Sequence, residues 1–208
     1  LVEIGVGNGG SLFMWKKFLG SKAKIIGIDL NPDAKKFEKF GFKIFIGDQA
    51  DPNFWKKFYS KNGKIDILID DGGHTNLQQI TALMESIENV KNDGLIIIED
   101  THTSFMNYKG FKNPSDYSLI NFTNKIIENL HRRNPMIKKK MNLFSKKIGS
   151  IEYFDSIVII KISKKKYSYS KNLQNNKKLN SFFTDYRFKR TIKKKNNSKI
   201  SLLNYIKS

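Results

Sequence analysis

The sequence predicts a doubly wound α/β sheet. Two patterns carry that expectation. Strand and helix signals alternate with short links over the first hundred residues, the mark of parallel pairing with right-handed crossovers. The strand-like runs are also almost continuously apolar, as strands covered on both faces must be. A third feature closes the sheet: "IGSIEYF" (148–154), a two-residue turn at Asp155 and Ser156, and "IVIIKI" (157–162) read as an antiparallel hairpin.

The elements follow in order. Leu1 to Val6 is a short strand running into glycines. Ser11 is placed as the cap of the next helix, where Leu12, Trp15, Phe18 and Leu19 recur at helical spacing. Lys24 to Leu30 is a second strand. "NPDAKKFEKFG" then has Asn31 as N-cap, Pro32 at the first helical position and Gly41 past the end. Phe42 to Gly47 is the third strand, Asp51 and Pro52 start the next helix, and "KIDILID" is the fourth strand. A helix from Thr75 to Val90 is expected to line one face with Leu77, Ile80, Leu83, Met84 and Ile87. Asp93 and Gly94 form a turn, and Leu95 to Asp100 is the fifth strand. Residues 101–116 read as a loop long enough to suspect function, and 116–133 as a helix. The two tryptophans, Trp15 and Trp55, read as core.

Composition limits the chemistry. The chain has no cysteine, so disulfides, zinc thiolates and cysteine nucleophiles are excluded. No apolar run approaches the roughly 20 residues of a membrane span. The net charge of +19 is unevenly spread: residues 1–100 hold 13 Lys against 14 Asp and Glu, leaving +20 in the remainder. The expected division is therefore a catalytic-type domain at 1–162 and a basic Lys/Asn-rich extension at 163–208. Residue 1 is Leu and lies inside a strand-like run, so the natural N-terminus is expected to be missing from this sequence. The basic tail raises nucleic acid as a partner. Its cations are almost all Lys, with Arg only at 132, 133, 187 and 190, and Asn, Ile and Phe are enriched beside them. An AT-rich coding sequence accounts for that mixture, and it is the favoured reading.

Ligands of open α/β sheets bind outside the carboxyl ends of the strands. Every polar cluster falls at such an end: Gly5, Gly7, Gly9 and Gly10; Asp29; Asp48 and Gln49; Asp70, Asp71 and His74; Glu99 and Asp100. The loop "EIGVGNGG" fits a dinucleotide fingerprint through Gly5, Gly7 and Gly10. It also fits a S-adenosylmethionine loop through Glu3, Gly5, Gly7 and Gly9. Both place Asp29 at ribose hydroxyls, and Glu3 favours the second. Asp71, Glu99 and Asp100 offer hard oxygen ligands suited to Mg²⁺, Mn²⁺ or Ca²⁺. His74, three residues after Asp71, is placed to act as a general base. Asp71 has a competing role as a helix cap, for which Asp70 or Thr75 would also serve. His102 is open between touching substrate, orienting a ligand and supporting its loop.

Taken in order, "VEIGVGNGGS", "IGIDL", "IGDQAD", "IDDGGH" and "IIIEDTHTS" resemble the metal-dependent sugar O-methyltransferases of macrolide and tetracenomycin pathways. The resemblance covers 1–162. It implies a class I methyltransferase sheet of seven strands in the order 3-2-1-4-5-7-6, with S-adenosylmethionine and Mg²⁺ or Mn²⁺ as cofactors. It implies metal binding by Asp71, Glu99 and Asp100, and His74 as base. The cofactor contacts would come from Glu3, Gly5, Gly7, Asp29, Asp48, Gln49 and Asp70. The expected partner is a small-molecule glycoside or sugar, without a membrane, in the cytoplasm, with self-association left open. The alternatives are a nicotinamide-dependent oxidoreductase and a nucleic-acid-binding or RNA-modifying protein that uses the tail, which is not a feature of that family.

Overall fold

The computed structural model describes residues 1–108, 111–112, 117–131 and 143–163. The tail aromatics, the Lys138–Lys140 run and the extension after Ser163 lie outside these residues. One seven-stranded sheet organises the fold: β1 (Val2–Ile4), β2 (Ile26–Asp29), β3 (Lys43–Ile46), β4 (Ile65–Asp70), β5 (Val90–Ile98), β6 (Ile148–Phe154) and β7 (Ile157–Ile162). Their order is β3-β2-β1-β4-β5-β7-β6, as the resemblance implied. Strands β1 to β5 are parallel, and β7 runs antiparallel between β5 and β6 with Ile96 opposite Ile160 and Ile98 opposite Val158. The described α-helices are α1 (Gly10–Leu19), α2 (Pro52–Asn62), α3 (Asn76–Ser86), α4 (Leu119–His131) and the single turn α5 (Leu143–Lys147).

The core follows from the apolar strands. Val2, Ile28, Leu68, Ile96, Val158 and Ile160 are fully buried, and Trp55, Phe58, Leu83, Ile87 and Ile126 cover them from the helices. Trp55 is core as expected, and its indole donates to the Gln49 carbonyl at 2.8 Å. A second cluster of Val6, Leu12, Phe37, Phe42 and Ile44 packs around α1.

Several local expectations are corrected. Gly9, not Ser11, occupies the N-cap of α1, in the left-handed region at φ 75°. Residues 32–40 wind as a 3₁₀ helix rather than an α-helix. Its buried residues, Ala34 and Phe37, are three apart, and a three-residue turn stacks that spacing. Helix α3 ends at Ser86, and β5 begins at Val90, so Asp93 and Gly94 form an irregularity inside a longer strand. The expected apolar face of that helix is only partly buried. Leu83 and Ile87 are buried, but Leu77 is 68% exposed, and the polar Gln79 and Ser86 are buried in the core. Ser86 is paired there, and Gln79 is paired through its Nε2 while its Oε1 has no partner among the described residues. Gln79 donates to the Glu99 carbonyl and Ser86 bonds the Tyr59 hydroxyl. On α1, Phe18 is likewise exposed. The stretch after Asp100 is not a plain loop: Thr101–Phe105 is a 3₁₀ turn, and Asn107–Tyr108 pairs with Phe111–Lys112.

Candidate active site

The site assembles at the carboxyl edge of the sheet. Strand β1 ends at Gly5, whose φ is 90° and whose missing side chain lets the Asp71 carbonyl lie against it. A Cβ there would overlap that carbonyl. Asp71 in turn donates its backbone N–H to the Ile4 carbonyl at 3.1 Å. The glycine loop and the end of β4 are thereby locked together. Asp29 pins the loop from the other side: one carboxylate oxygen accepts from the N–H groups of Val6 (2.9 Å) and Gly7 (3.1 Å), the other from Asn31 (2.8 Å).

Between these strand ends opens a cleft of about 450 Å³, lined by Gly5, Gly7, Asp29, Asp48, Gln49 and His74 among others. That volume lies within the usual range of small-molecule sites. Asp48 faces it while holding its own turn through the Ala50 N–H. Gln49 lines it with its amide fully engaged. Its Nε2 donates to both Asp70 oxygens (2.9 and 3.1 Å), and its Oε1 accepts from Gly73 N–H at 2.9 Å. Gly72 must lack a side chain because the Gln49 amide occupies that space.

Asp70 and Glu3, both expected as cofactor contacts, sit beneath the cleft rather than along its lining. Both are buried, 1% and 2% exposed, and neither lines the cleft. Asp70 is a brace between β3 and β4, and burial pushes its carboxyl up to about 6, with Gln49 and Gly72 partly holding it down. Burial also raises Glu3; Ser11 and Trp15 on α1 oppose the rise, and Asp71 and Glu99 add to it. One Glu3 oxygen has no partner among the described residues.

Asp71 and His74 line the cleft, and Asp100 converges on them, the nearest ligand atoms of the three all within 4.8 Å of one another. His74 Nε2 stands 3.8 Å from Asp71 Oδ1 and 3.6 Å from Asp100 Oδ2. Thr75 caps α3 in a reciprocal capping box with Gln78, so Asp71 is not spent on the cap. Glu99 falls outside the tight group. It continues β5, donating its N–H to the Asp70 carbonyl, whereas Asp100 turns into the left-handed region at φ 52°. The two remain close enough to interact: burial and then the charges of Asp71 and Asp100 raise Glu99, and burial and Asp100 raise Asp71 against the pull of His74. Two raised carboxylates, Asp71 and Glu99, beside the Asp100 carboxylate are a set of oxygen donors that a divalent cation relieves. This fits Asp71 and Asp100 as oxygen neighbours of such an ion, with Glu99 close enough to interact and the His74 ring facing the pair.

The β6–β7 turn reaches the same edge. Ser156, at φ 60°, shares a hydrogen bond with His102 Nδ1 at 2.7 Å and accepts from the Thr101 N–H at 3.0 Å. His102 Nδ1 also lies 3.9 Å from Asp100 Oδ1. Sequence reasoning did not single out Ser156, Gln79 or Thr103. Only the strand pairing brings Ser156 here, and no local spacing marks it.

No family model matches the chain. Among curated proteins it is 30% identical over 139 residues to 8-demethyl-8-alpha-L-rhamnosyl tetracenomycin-C 2'-O-methyltransferase of Streptomyces olivaceus, covering 63% of this chain and 36% of that one. It is 34% identical over 123 residues to mycinamicin VI 2''-O-methyltransferase of Micromonospora griseorubida, covering 56% and 30%. Crystal structures of MycE, a methyltransferase of the mycinamycin pathway, superpose with TM-scores of 0.70 for a complex with Mg and SAH and 0.69 for one that also holds mycinamycin VI. Identity is 24% and 25%, and each match covers 78% of this chain and 44% of MycE. The fold is a Rossmann-like methyltransferase fold. This chain resembles the sugar O-methyltransferases of natural-product pathways. It spans about a third of the length of the curated relatives it matches. No described helix is long and apolar enough to cross a membrane.

Proposed function

We propose that this protein transfers a methyl group from S-adenosylmethionine to a sugar or polyol hydroxyl, with a divalent metal (Mg²⁺ or Mn²⁺) and a histidine base. The observation that carries the reading is the convergence of Asp100 on Asp71 and His74, which line the glycine-walled cleft. The relatives' sugar O-methyltransferase names and the Mg and SAH of the MycE complexes support it over a nicotinamide-dependent reaction. A cytoplasmic location belongs to the same reading.

The roles follow from position. The loop at Gly5 and Gly7 lets a nucleoside approach the backbone, and Asp29 faces the cleft with one carboxylate lone-pair site left for a ribose hydroxyl. Asp48 borders the same space. Asp71, Asp100 and Glu99 would hold the metal. The metal, when bound, lowers the pKa of the acceptor hydroxyl. His74 takes the proton as the hydroxyl oxygen attacks the sulfonium methyl, and S-adenosylhomocysteine leaves. The positive charge the imidazole gains faces two carboxylates, at 3.6 and 3.8 Å. In-line positioning of the two substrates supplies much of the rate.

Calorimetric titration of S-adenosylhomocysteine, with and without magnesium and with NADH as a control, tests the reading. Binding of the homocysteine product, together with a magnesium requirement for a diol-bearing sugar, is the expected result. Binding of NADH alone overturns it.

A further inference from the structure

Four non-glycine residues among those described have positive φ, and two of them are His74 (56°) and Asp100 (52°). Such a backbone persists only where its surroundings over-determine it. Here the two strained residues sit on different elements, the β4–α3 loop and the end of β5, and their side chains face each other across 3.6 Å. The Thr103 hydroxyl joins them. Its Oγ1 lies 2.9 Å from the His74 carbonyl oxygen and 2.8 Å from that of Asp100, so its single proton is shared between the two, while the Thr103 N–H donates to the Asp100 carbonyl at 3.0 Å. Thr103 is 4% exposed, so water does not substitute for it at these carbonyls.

The His74 ring adds the second observation. Its Nδ1 is buried and has no hydrogen-bond partner among the described residues. A site imidazole is ordinarily oriented through its other nitrogen. No such partner orients this one, so its direction depends on the backbone that carries it. We infer that Thr103 is a positioning residue, a hydroxyl clasp that holds His74 and Asp100 in register for the metal and the acceptor. The inference rests on the proposed metal-assisted reading for its purpose, but the clasp itself stands on hydrogen bonds.

Three variants test it: Thr103→Val and Thr103→Ala remove the hydroxyl, and Thr103→Ser keeps it. Mn²⁺ affinity is read by the paramagnetic resonance signal of free ion, and S-adenosylhomocysteine affinity by calorimetry. The His74 ring resonance is read by NMR, assignable because the chain has only three histidines. The Val and Ala variants should weaken Mn²⁺ by about ten- to a hundredfold, as loss of a group that orients a metal ligand does. They should also move the His74 resonance, while Ser restores both and homocysteine affinity stays at the wild-type value. If Val fails to fold, the Ala and Ser pair decides. Wild-type Mn²⁺ affinity and an unmoved His74 resonance in Val or Ala overturn the inference. So does a parallel loss of homocysteine binding, the sign of general collapse. If the wild type binds no Mn²⁺, the metal reading fails by itself, and the His74 resonance alone then upholds or overturns the clasp.

Discussion

Replacing Asp70 by Asn should flatten the dependence of stability on pH. The side chain is 1% exposed, and burial raises its carboxyl from 3.8 to about 6 despite the hydrogen bonds from Gln49 and Gly72. A carboxyl raised by folding holds its proton more tightly in the folded state. Its contribution is therefore fully present below the unfolded value and is lost as pH climbs through the folded one. The window runs from about pH 4 to about pH 6, and a rise of about 2 units at about 1.4 kcal/mol each amounts to about 3 kcal/mol. Asn keeps the shape and has nothing to titrate. Urea unfolding of wild type and D70N at about pH 3 and about pH 7, roughly one unit beyond each end of that window, gives the two slopes. The wild type should lose stability on going to neutral pH, and D70N should lose about 3 kcal/mol less. Glu3, Asp71 and Glu99 are also raised, so some slope should remain in the variant. Equal slopes in the two proteins would refute the argument that Asp70 is a buried charge carried at a cost.

The remaining expectations concern the site and its supports. His74→Ala should lower turnover by about a hundred- to ten-thousandfold, the usual contribution of a general base, and leave S-adenosylhomocysteine binding intact by calorimetry; turnover near wild type would remove it as the base. Asp71→Asn and Asp100→Asn should each weaken Mn²⁺ by at least about tenfold, and chelation should stop turnover of the wild type. Gly5→Ala should cost at least about 2 kcal/mol in chemical unfolding, since a positive φ and an overlap with the Asp71 carbonyl act together. Thr75→Ala breaks the capping box of α3 and should cost about 1 kcal/mol, read as a lower thermal midpoint.

Much of this fold is legible in the sequence because the strands are buried on both faces. "KIDILID" and "LIII" need no partner information to read as strands, and the caps at Asn31 and Asp51 mark helix starts that the structure retains. The helix faces were harder. Leu77 reads as core by spacing yet lies in solvent, and Gln79 reads as surface yet is buried, because the Glu99 carbonyl supplies a partner that only the packed sheet brings near. The carboxylates at the strand ends were visible as a group, since one topological rule puts all of them at one edge. Their individual placement was not. Asp70 and Asp71 are adjacent in sequence, but the pleat turns one inward to Gln49 and the other toward His74. Of Glu99 and Asp100 only the second joins the tight group, and the left-handed turn at Asp100 has no signature that a non-glycine residue displays. Thr103 and Ser156 were invisible for a further reason: one acts through backbone carbonyls, the other through a turn more than fifty residues away.

The placement of β7 between β5 and β6 bears on the order in which the molecule is built. Every carboxylate of the site has been synthesised by residue 100, yet the edge of β5 beside Glu99 and Asp100 stays open until Ile157–Ile162 arrives and slots in antiparallel. Until then Ile96 and Ile98 present an unpaired apolar strand to the cell, the kind of edge that recruits foreign strands. The last of the described strands to be made is thus a plug as much as a wall. A nascent chain halted before it should hold the chemistry in outline, remain prone to aggregation and bind no metal, and a few further residues should convert it at once into a closed, working sheet.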